Sequence, residues 1–228
     1  MDLPYPIPGA SSHTFWISYT QPTIHGDWYW ENTKNHPELY KYFPFGPFDS
    51  KEKLFEILFT QRIQPNQGYI AYAVYDKVFE PNPTPAGMVG LLDASPMNLS
   101  AEIGFLMAFP RYQRTHLTSN MLGLLLQYCL EVPERGGLGL RRVQWQANVQ
   151  NGASVNAALR MGFQQEGVKR WDRVIPASIG KPNEVERLPR EGDPHRTGFG
   201  RHTALLGLCW DDWEDGVREK VRELMKPR

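Results

Sequence analysis

The residues best suited to chemistry crowd into one stretch of this chain, Ala101 to Phe163, in the order strand, turn, helix, strand, helix. The turn is Pro110-Arg111-Tyr112-Gln113-Arg114-Thr115-His116-Leu117-Thr118-Ser119. It breaks off a strand, Ala101 to Phe109, and opens a helix. The first N–H groups of a helix have no partner within it, so such an end binds phosphate. A phosphate-bearing cofactor held at this helix is the chemistry the pattern suggests. A second strand, Arg141 to Asn148, leads into a short helix that closes on Arg160-Met161-Gly162-Phe163.

These residues need a scaffold, and the rest of the chain supplies its elements. Thr14 to Tyr19 has the alternation of a first strand. Residues 27–49 mix aromatics with Pro and Gly, which predicts a short helix and then an irregular aromatic loop. Asp49-Ser50 caps a helix from Lys51 to about Arg62, with Leu54, Phe55 and Leu58 at helical spacing. Gly68 to Asp76 alternates and is β-rich, residues 77–86 form a Pro-containing hairpin loop, and Gly87 to Leu92 and Glu102 to Ala108 are the next strands. Short links between consecutive strands predict an antiparallel meander.

The helix after the turn, Thr115 to about Leu130, carries Leu117, Met121, Leu124 and Tyr128 along one stripe. Asn151 to Met161 is helical with Gly162 as C-cap, and Gln165 to Ile175 is a strand. Thr203 to Cys209 is a last strand, and Asp211 caps a closing helix striped by Trp213, Val217, Val221 and Leu224. Residues 1–13 form a Pro-rich arm, and residues 176–202 a long surface loop rich in Pro and Gly. Strands flanked by helices predict an α/β (α+β) layered domain spanning residues 1–228.

Bulk composition excludes several function classes. Lys plus Arg equals Asp plus Glu, at 25 each, which argues against a nucleic-acid partner bound by phosphate neutralisation. Cys129 and Cys209 lie in apolar runs and make no disulfide framework; buried free thiols are expected. His and Cys lack metal-ligand spacing, so no metal is expected. The apolar runs are short of a membrane span and the N-terminus has no signal-peptide pattern, so a cytoplasmic protein without a membrane partner is expected.

The combination Glu102-Ile103-Gly104, Gln113-Arg114-Thr115, Leu138-Gly139-Leu140-Arg141-Arg142-Val143-Gln144-Trp145, Asn148-x-x-Asn151-x-x-Ser154, Met161-Gly162-Phe163 and Glu166-Gly167 resembles the GCN5-related N-acetyltransferase (GNAT) superfamily. Within it, the likeness is to the branch of ribosomal-protein N-terminal and small-amine acetyltransferases, over roughly residues 12–175. The resemblance implies a mixed, mostly antiparallel sheet of about seven strands, flanked by helices and splayed where acyl-CoA binds. It implies acetyl-CoA as cofactor, with pyrophosphate on Gln113, Arg114, Thr115, His116, Leu117, Thr118 and Ser119. His116 and Thr118 depart from the small residues of the family's phosphate loop; side-chain donors offset the obstruction their Cβ atoms bring. The pantetheine arm is implied to meet Leu106, Met107 and Phe109 on the fourth strand and Asn148, Asn151 and Ser154 beyond the fifth.

Acetyl transfer to an amine needs a proton acceptor, a donor to the carbonyl oxygen and a proton for the thiolate. Glu102 is the first candidate base, with a purely structural carboxylate as the alternative. Asp93, at the end of the preceding strand, is a weaker candidate base or a substrate-binding carboxylate, with a turn residue as the alternative. Tyr42, Phe43 and Phe45, with Tyr40 and Phe48, sit where the family's first helices roof the acceptor cleft; they line an acceptor pocket or simply pack. Trp171 and Arg173 face the same region in the family fold. Ala157 to Phe163 holds no Tyr in the place where many members keep the acid for the thiolate. Trp145 is expected in the core. The expected function is acetyl transfer from acetyl-CoA to a primary amine of a small molecule, by a monomer or homodimer; alternatives are a protein N-terminal acetyltransferase and a CoA-binding protein without activity.

Overall fold

The computed structural model describes residues 15–19, 22–77, 84–176 and 189–226. Seven strands form one sheet in the order β1-β2-β3-β4-β5-β7-β6. They are β1 (Phe15–Tyr19), β2 (Ile70–Asp76), β3 (Thr84–Ser95), β4 (Ser100–Ala108), β5 (Arg142–Asn148), β6 (Gln164–Ile175) and β7 (Phe199–Cys209). The helices are α1 (Pro22–Thr33), α2 (Lys51–Leu54), α3 (Leu117–Leu130), α4 (Gly152–Arg160), α5 (Trp210–Asp212) and α6 (Arg218–Leu224). The meander β1–β4 is antiparallel as expected, and β4–β5 is the parallel pair.

Local signals explain much of this. Ser50 ends the loop before α2 by accepting the Lys53 N–H at 3.2 Å, and the helix continues with wider, π-type turns from Phe55 to Ile63. The α3 stripe is fully inward: Leu117, Met121, Leu124 and Tyr128 are all buried, and α3 packs on β1, β4, β5 and α6. Gly162 (φ +99°) closes α4 as a left-handed cap, its N–H reaching Leu159 and that of Phe163 reaching Ala158. Trp145 is buried, as expected of a core residue.

Six expectations need correction. Helix α1 starts at Pro22 and ends at Thr33, where the aromatic composition predicted only a short helix within 27–49. It has no apolar stripe to mark it; burial of Tyr29 against Phe109, rings 5.9 Å apart, ties it to the core. Strand β3 begins at Thr84 and runs to Ser95, so residues 84–86 are strand, not loop; residues 78–83 of that link lie outside the described residues. Strand β7 begins at Phe199, so the segment 176–202 is shorter than expected; residues 1–14 and 177–188 also fall outside the described residues.

Helix α3 starts at Leu117, because Thr115 serves as a local cap: its hydroxyl donates to the Tyr112 carbonyl at 2.7 Å and accepts the Leu117 N–H at 3.2 Å. The closing helix has Cys209 at its N-cap, with Asp212 completing a capping box, and Asp211 lies inside the helix. Asp212 accepts the Cys209 N–H at 3.1 Å and the Gln164 amide at 2.7 Å. Cys209 is accordingly half-buried rather than buried, while Cys129 is fully enclosed and its thiol is pushed up to about 12 by burial.

Candidate active site

Two irregularities in β4 build the site. The parallel pairing of β4 with β5 runs from Ser100–Arg142 to Ile103–Trp145. Beyond it, β5 continues to Asn148 paired only with β7, and β4 continues to Ala108 paired only with β3. The two strands therefore part, and the edge of β4 from Gly104 to Ala108 opens into a wedge. Within that edge the register to β3 jumps: Gly90 faces Gly104, and Met88 faces Met107. One extra residue bulges from β4, and Phe105 takes φ +52°, a left-handed conformation uncommon outside Gly.

Glu102 stands at the closed end of this wedge, on the last paired turn of β4. It is 5% exposed, and its Oε2 accepts the Gln146 side-chain amide at 2.6 Å across the seam. Burial, first, and the nearby Asp93 charge push its pKa up to about 7, against the pull of Arg173, Gln146 and Lys169. A carboxyl that titrates near neutral pH is suited to exchange protons with an amine. Asp93 is exposed on a second bulge, between Leu92–Glu102 and Ser95–Ser100, and holds φ +48°.

Tyr69, at the entrance to β2, joins the two acids to two cations. Its phenol lies within electrostatic range of Asp93, Glu102, Arg173 and Arg62, and burial followed by the two acids raises its pKa. The Phe105 ring, carried out by the bulge, packs edge-on against Tyr69 at 6.1 Å and against Phe45 at 6.2 Å. Arg62 lies over the Phe45 ring at 5.0 Å. Sequence reasoning missed Tyr69, Arg62 and Gln146. Alternation and helical spacing give these residues no mark, and only the strand register brings them to Glu102.

Phe45 thus joins the Glu102 cluster. Phe43 packs beside Phe45 at 5.0 Å and extends the aromatic wall. Gly46 (φ +61°) lets the loop turn tightly under Tyr40, whose ring lies 2.4 Å from where a Cβ would stand. Among the described residues, the contacts of Tyr42 and Trp171 lie elsewhere. Tyr42 meets Lys41, while Trp171 (φ +53°) is 48% exposed and packs on His202, which accepts its backbone N–H at 2.8 Å. A groove of about 480 Å³ between α1 and the start of α2 holds Asp27, Glu31, Asp49 and Glu52 with Trp30 and Lys51. It contains none of the Glu102 cluster, and the Lys51–Asp27 pair at 3.0 Å occupies part of it.

The other side of the wedge holds the residues expected at the cofactor. Gln113, Arg114 and Thr115 are exposed, and His116, Thr118 and Ser119 half-buried, on the turn between β4 and α3. Arg114 takes φ +61°, so the turn adopts a glycine-like bend without a glycine. Gln113 donates to the Ala108 carbonyl at 3.4 Å. Leu106 is half-buried, whereas Met107 and Phe109 are buried, and the Met107 sulfur accepts the Tyr29 hydroxyl at 3.3 Å. Three expected polar residues already have local work. Asn148 accepts the Gln150 N–H at 2.8 Å, Asn151 caps α4 through the Ser154 N–H at 3.1 Å, and the Ser154 hydroxyl accepts the Trp145 indole at 3.1 Å. An open β4 edge beside the start of a 14-residue helix fits a linear amide-bearing chain that ends in phosphates.

A sheet splayed between a bulged strand and its parallel neighbour, with a helix opening at the splay, is an acetyltransferase architecture. The model of the acetyltransferase (GNAT) domain matches residues 22–164, and the chain belongs to that family. Solved structures agree on the fold. A GCN5-related N-acetyltransferase from Brucella melitensis superposes with TM-score 0.74 at 21% identity, covering 95% of this chain and 85% of that one. Spermidine N-acetyltransferase from Vibrio cholerae, in complex with CoA and spermine, gives 0.62 at 16% identity, with 89% and 99% covered. A Vibrio cholerae protein described as a ribosomal-protein-serine acetyltransferase gives 0.61 at 15%, with 88% and 96% covered. A search of curated proteins finds no significant match. No helix among the described residues is long and apolar enough to cross a membrane. The nearest thing to a metal cluster there is Cys209, Asp211 and Asp212, where Asp212 is already committed to capping.

Proposed function

We propose that this protein transfers an acetyl group from acetyl-CoA to a primary amine of a small molecule, with Glu102 as the proton acceptor. The observation that carries the reading is the buried Glu102 carboxyl at the closed end of the β4–β5 wedge, bonded to Gln146 and raised to about pH 7. When bound, acetyl-CoA supplies the activated acyl thioester. The chain's own residues do the rest.

An alkyl ammonium is not nucleophilic, so one proton must leave it before attack. Glu102, ionised above about pH 7, takes that proton directly or through one water. The neutral nitrogen then forms the C–N bond as the C–S bond breaks, and the second proton lost by nitrogen goes to the departing sulfur. The β4 bulge turns backbone at Phe105 and Leu106 away from β3, which suits it to donate to the carbonyl oxygen. The turn at 113–119 and the first N–H groups of α3 hold the pyrophosphate, and the β4 edge from Leu106 to Phe109 pairs with the pantetheine amides.

Two measurements test this. Acetyl-CoA should raise the melting temperature in a concentration-dependent way, and a primary amine should drive thiol release. No thermal shift at millimolar acetyl-CoA would remove the reading.

A further inference from the structure

Resting on that reading, we infer that the acceptor amine carries a carboxylate, and that Arg62 and Arg173 receive it. The acceptor is then an amino acid or an amino-acid-like amine, not a polyamine.

The acceptor end has two chemically distinct halves. Glu102 and Asp93 make an acidic half, suited to an ammonium group. Arg62 and Arg173 make a cationic half, and Tyr69 lies between, in range of all four. Arg62 comes from the end of the α2 helix and Arg173 from β6, so two separate elements bring like charges towards each other. Burial, and to a smaller degree the Arg173 charge, lowers the pKa of Arg62 against the pull of Tyr69. Two guanidinium groups do not converge at no cost unless an anion joins them.

Among the described residues no carboxylate forms an ion pair with both. Among the described residues Arg62 has no carboxylate partner, and its Nε is buried without an acceptor. Its guanidinium carbon lies over the Phe45 ring, 5.0 Å from the centroid. Arg173 makes a loose contact with its sequence neighbour, Nε to the Asp172 carboxylate at 3.4 Å, and its charge also acts on Glu102. Asp172 is also shared with Lys169 at 3.7 Å. The acids that do lie nearby, Glu102 and Asp93, belong to the amine end. A planar carboxylate matches the guanidinium fork, whereas a second ammonium would meet two cations. Phe45 and Phe105 are buried beside Arg62 and Tyr69, and the half-buried Phe43 extends this apolar wall.

The test compares amino acids with their decarboxylated amines, phenylalanine with phenethylamine and lysine with cadaverine, plus spermidine, by thiol release. The wild type should favour the amino acid of each pair by at least about tenfold in kcat/KM, as expected when a charge-assisted contact is lost. Arg62→Gln and Arg173→Gln should each lower the ratio of amino-acid to amine kcat/KM about tenfold, a ratio in which any shift of the Glu102 titration cancels. Arg62→Lys should restore part of the loss. Melting temperature and acetyl-CoA affinity, measured on each variant, separate a misfolded protein from a lost contact. Turnover of the amines or of spermidine above the amino acids, or equal losses on both members of a pair, overturns the inference and leaves the acetyltransferase reading standing. Turnover of none of these with acetyl-CoA bound also overturns it. No acetyl-CoA binding removes both readings together.

Discussion

The two sides of the wedge are made of different material. The side expected to hold the cofactor is contiguous and largely backbone: one strand edge, one turn and one helix start within Gly104 to Ser119. The side proposed for the acceptor is made of side chains drawn from six places, Phe45, Arg62, Tyr69, Asp93, Glu102 and Arg173, with Gln146 closing it from β5. Backbone donors tolerate changes in the letters that carry them. On the proposed reading His116 and Thr118 can therefore stand where small residues are usual, and Arg114 itself adopts the left-handed bend. A side-chain site is less tolerant, because each charge and ring must reach the shared space from a separate element.

The comparison breaks most sharply at Glu102. Glu102→Gln should lower kcat by about a hundredfold or more, the range of general-base catalysis, and leave acetyl-CoA affinity within about twofold. Wild-type kcat/KM should rise with pH through about 7 as Glu102 ionises, and this limb should vanish in the variant. Equal turnover would reject the role. Stability should move the other way. The raised carboxyl binds its proton more tightly folded than unfolded, so its contribution is full below about pH 4 and is lost as pH rises through about 7. Glu102→Gln should therefore melt higher than the wild type at pH 8, by as much as about 3 kcal/mol, and converge with it in acid.

Next in size is the scaffold of the cofactor side. Leu124→Ala in buried α3 should cost about 3 kcal/mol in denaturant unfolding, because it leaves a cavity under the helix that carries the turn. Gln146→Leu should sharpen the acceptor side. It removes the donor that favours ionised Glu102, so the pH–rate limb should move to higher pH; an unmoved limb would assign the titration to another group.

Smaller still, Arg114→Gly should raise stability by about 1 kcal/mol by relieving the left-handed backbone, while weakening acetyl-CoA more than dephosphorylated pantetheine. Equal weakening of both ligands would place the pyrophosphate elsewhere. The smallest effect belongs to Thr118→Ala, for which acetyl-CoA affinity should change less than about threefold if backbone does the binding. A large loss there would erase the distinction between the two sides.

Much of the fold was legible because its signals are local. The α3 stripe, the Ser50 and Gly162 caps, the alternation of β2 and the position of Trp145 depend on residues a few places apart. Helix α1 was not legible, since it has no stripe and is held by Tyr29 and its neighbours. The bulges at Asp93 and Phe105 were not legible either, because an extra residue in a strand leaves the apolar letters looking regular on both sides of it. Glu102 could be singled out from its place before the turn, but its environment could not.

By itself the sequence determined the strand–turn–helix, the family it belongs to and the candidate end of the cofactor, all written in adjacent residues. Tertiary structure alone decided where β4 leaves β5, which way Phe105 points, and that residues as far apart as Arg62 and Arg173 meet around Tyr69. The physical reason is that periodicity and caps act over one or two turns of chain, whereas a charge cluster forms only after register and bulges have fixed which distant side chains share a space.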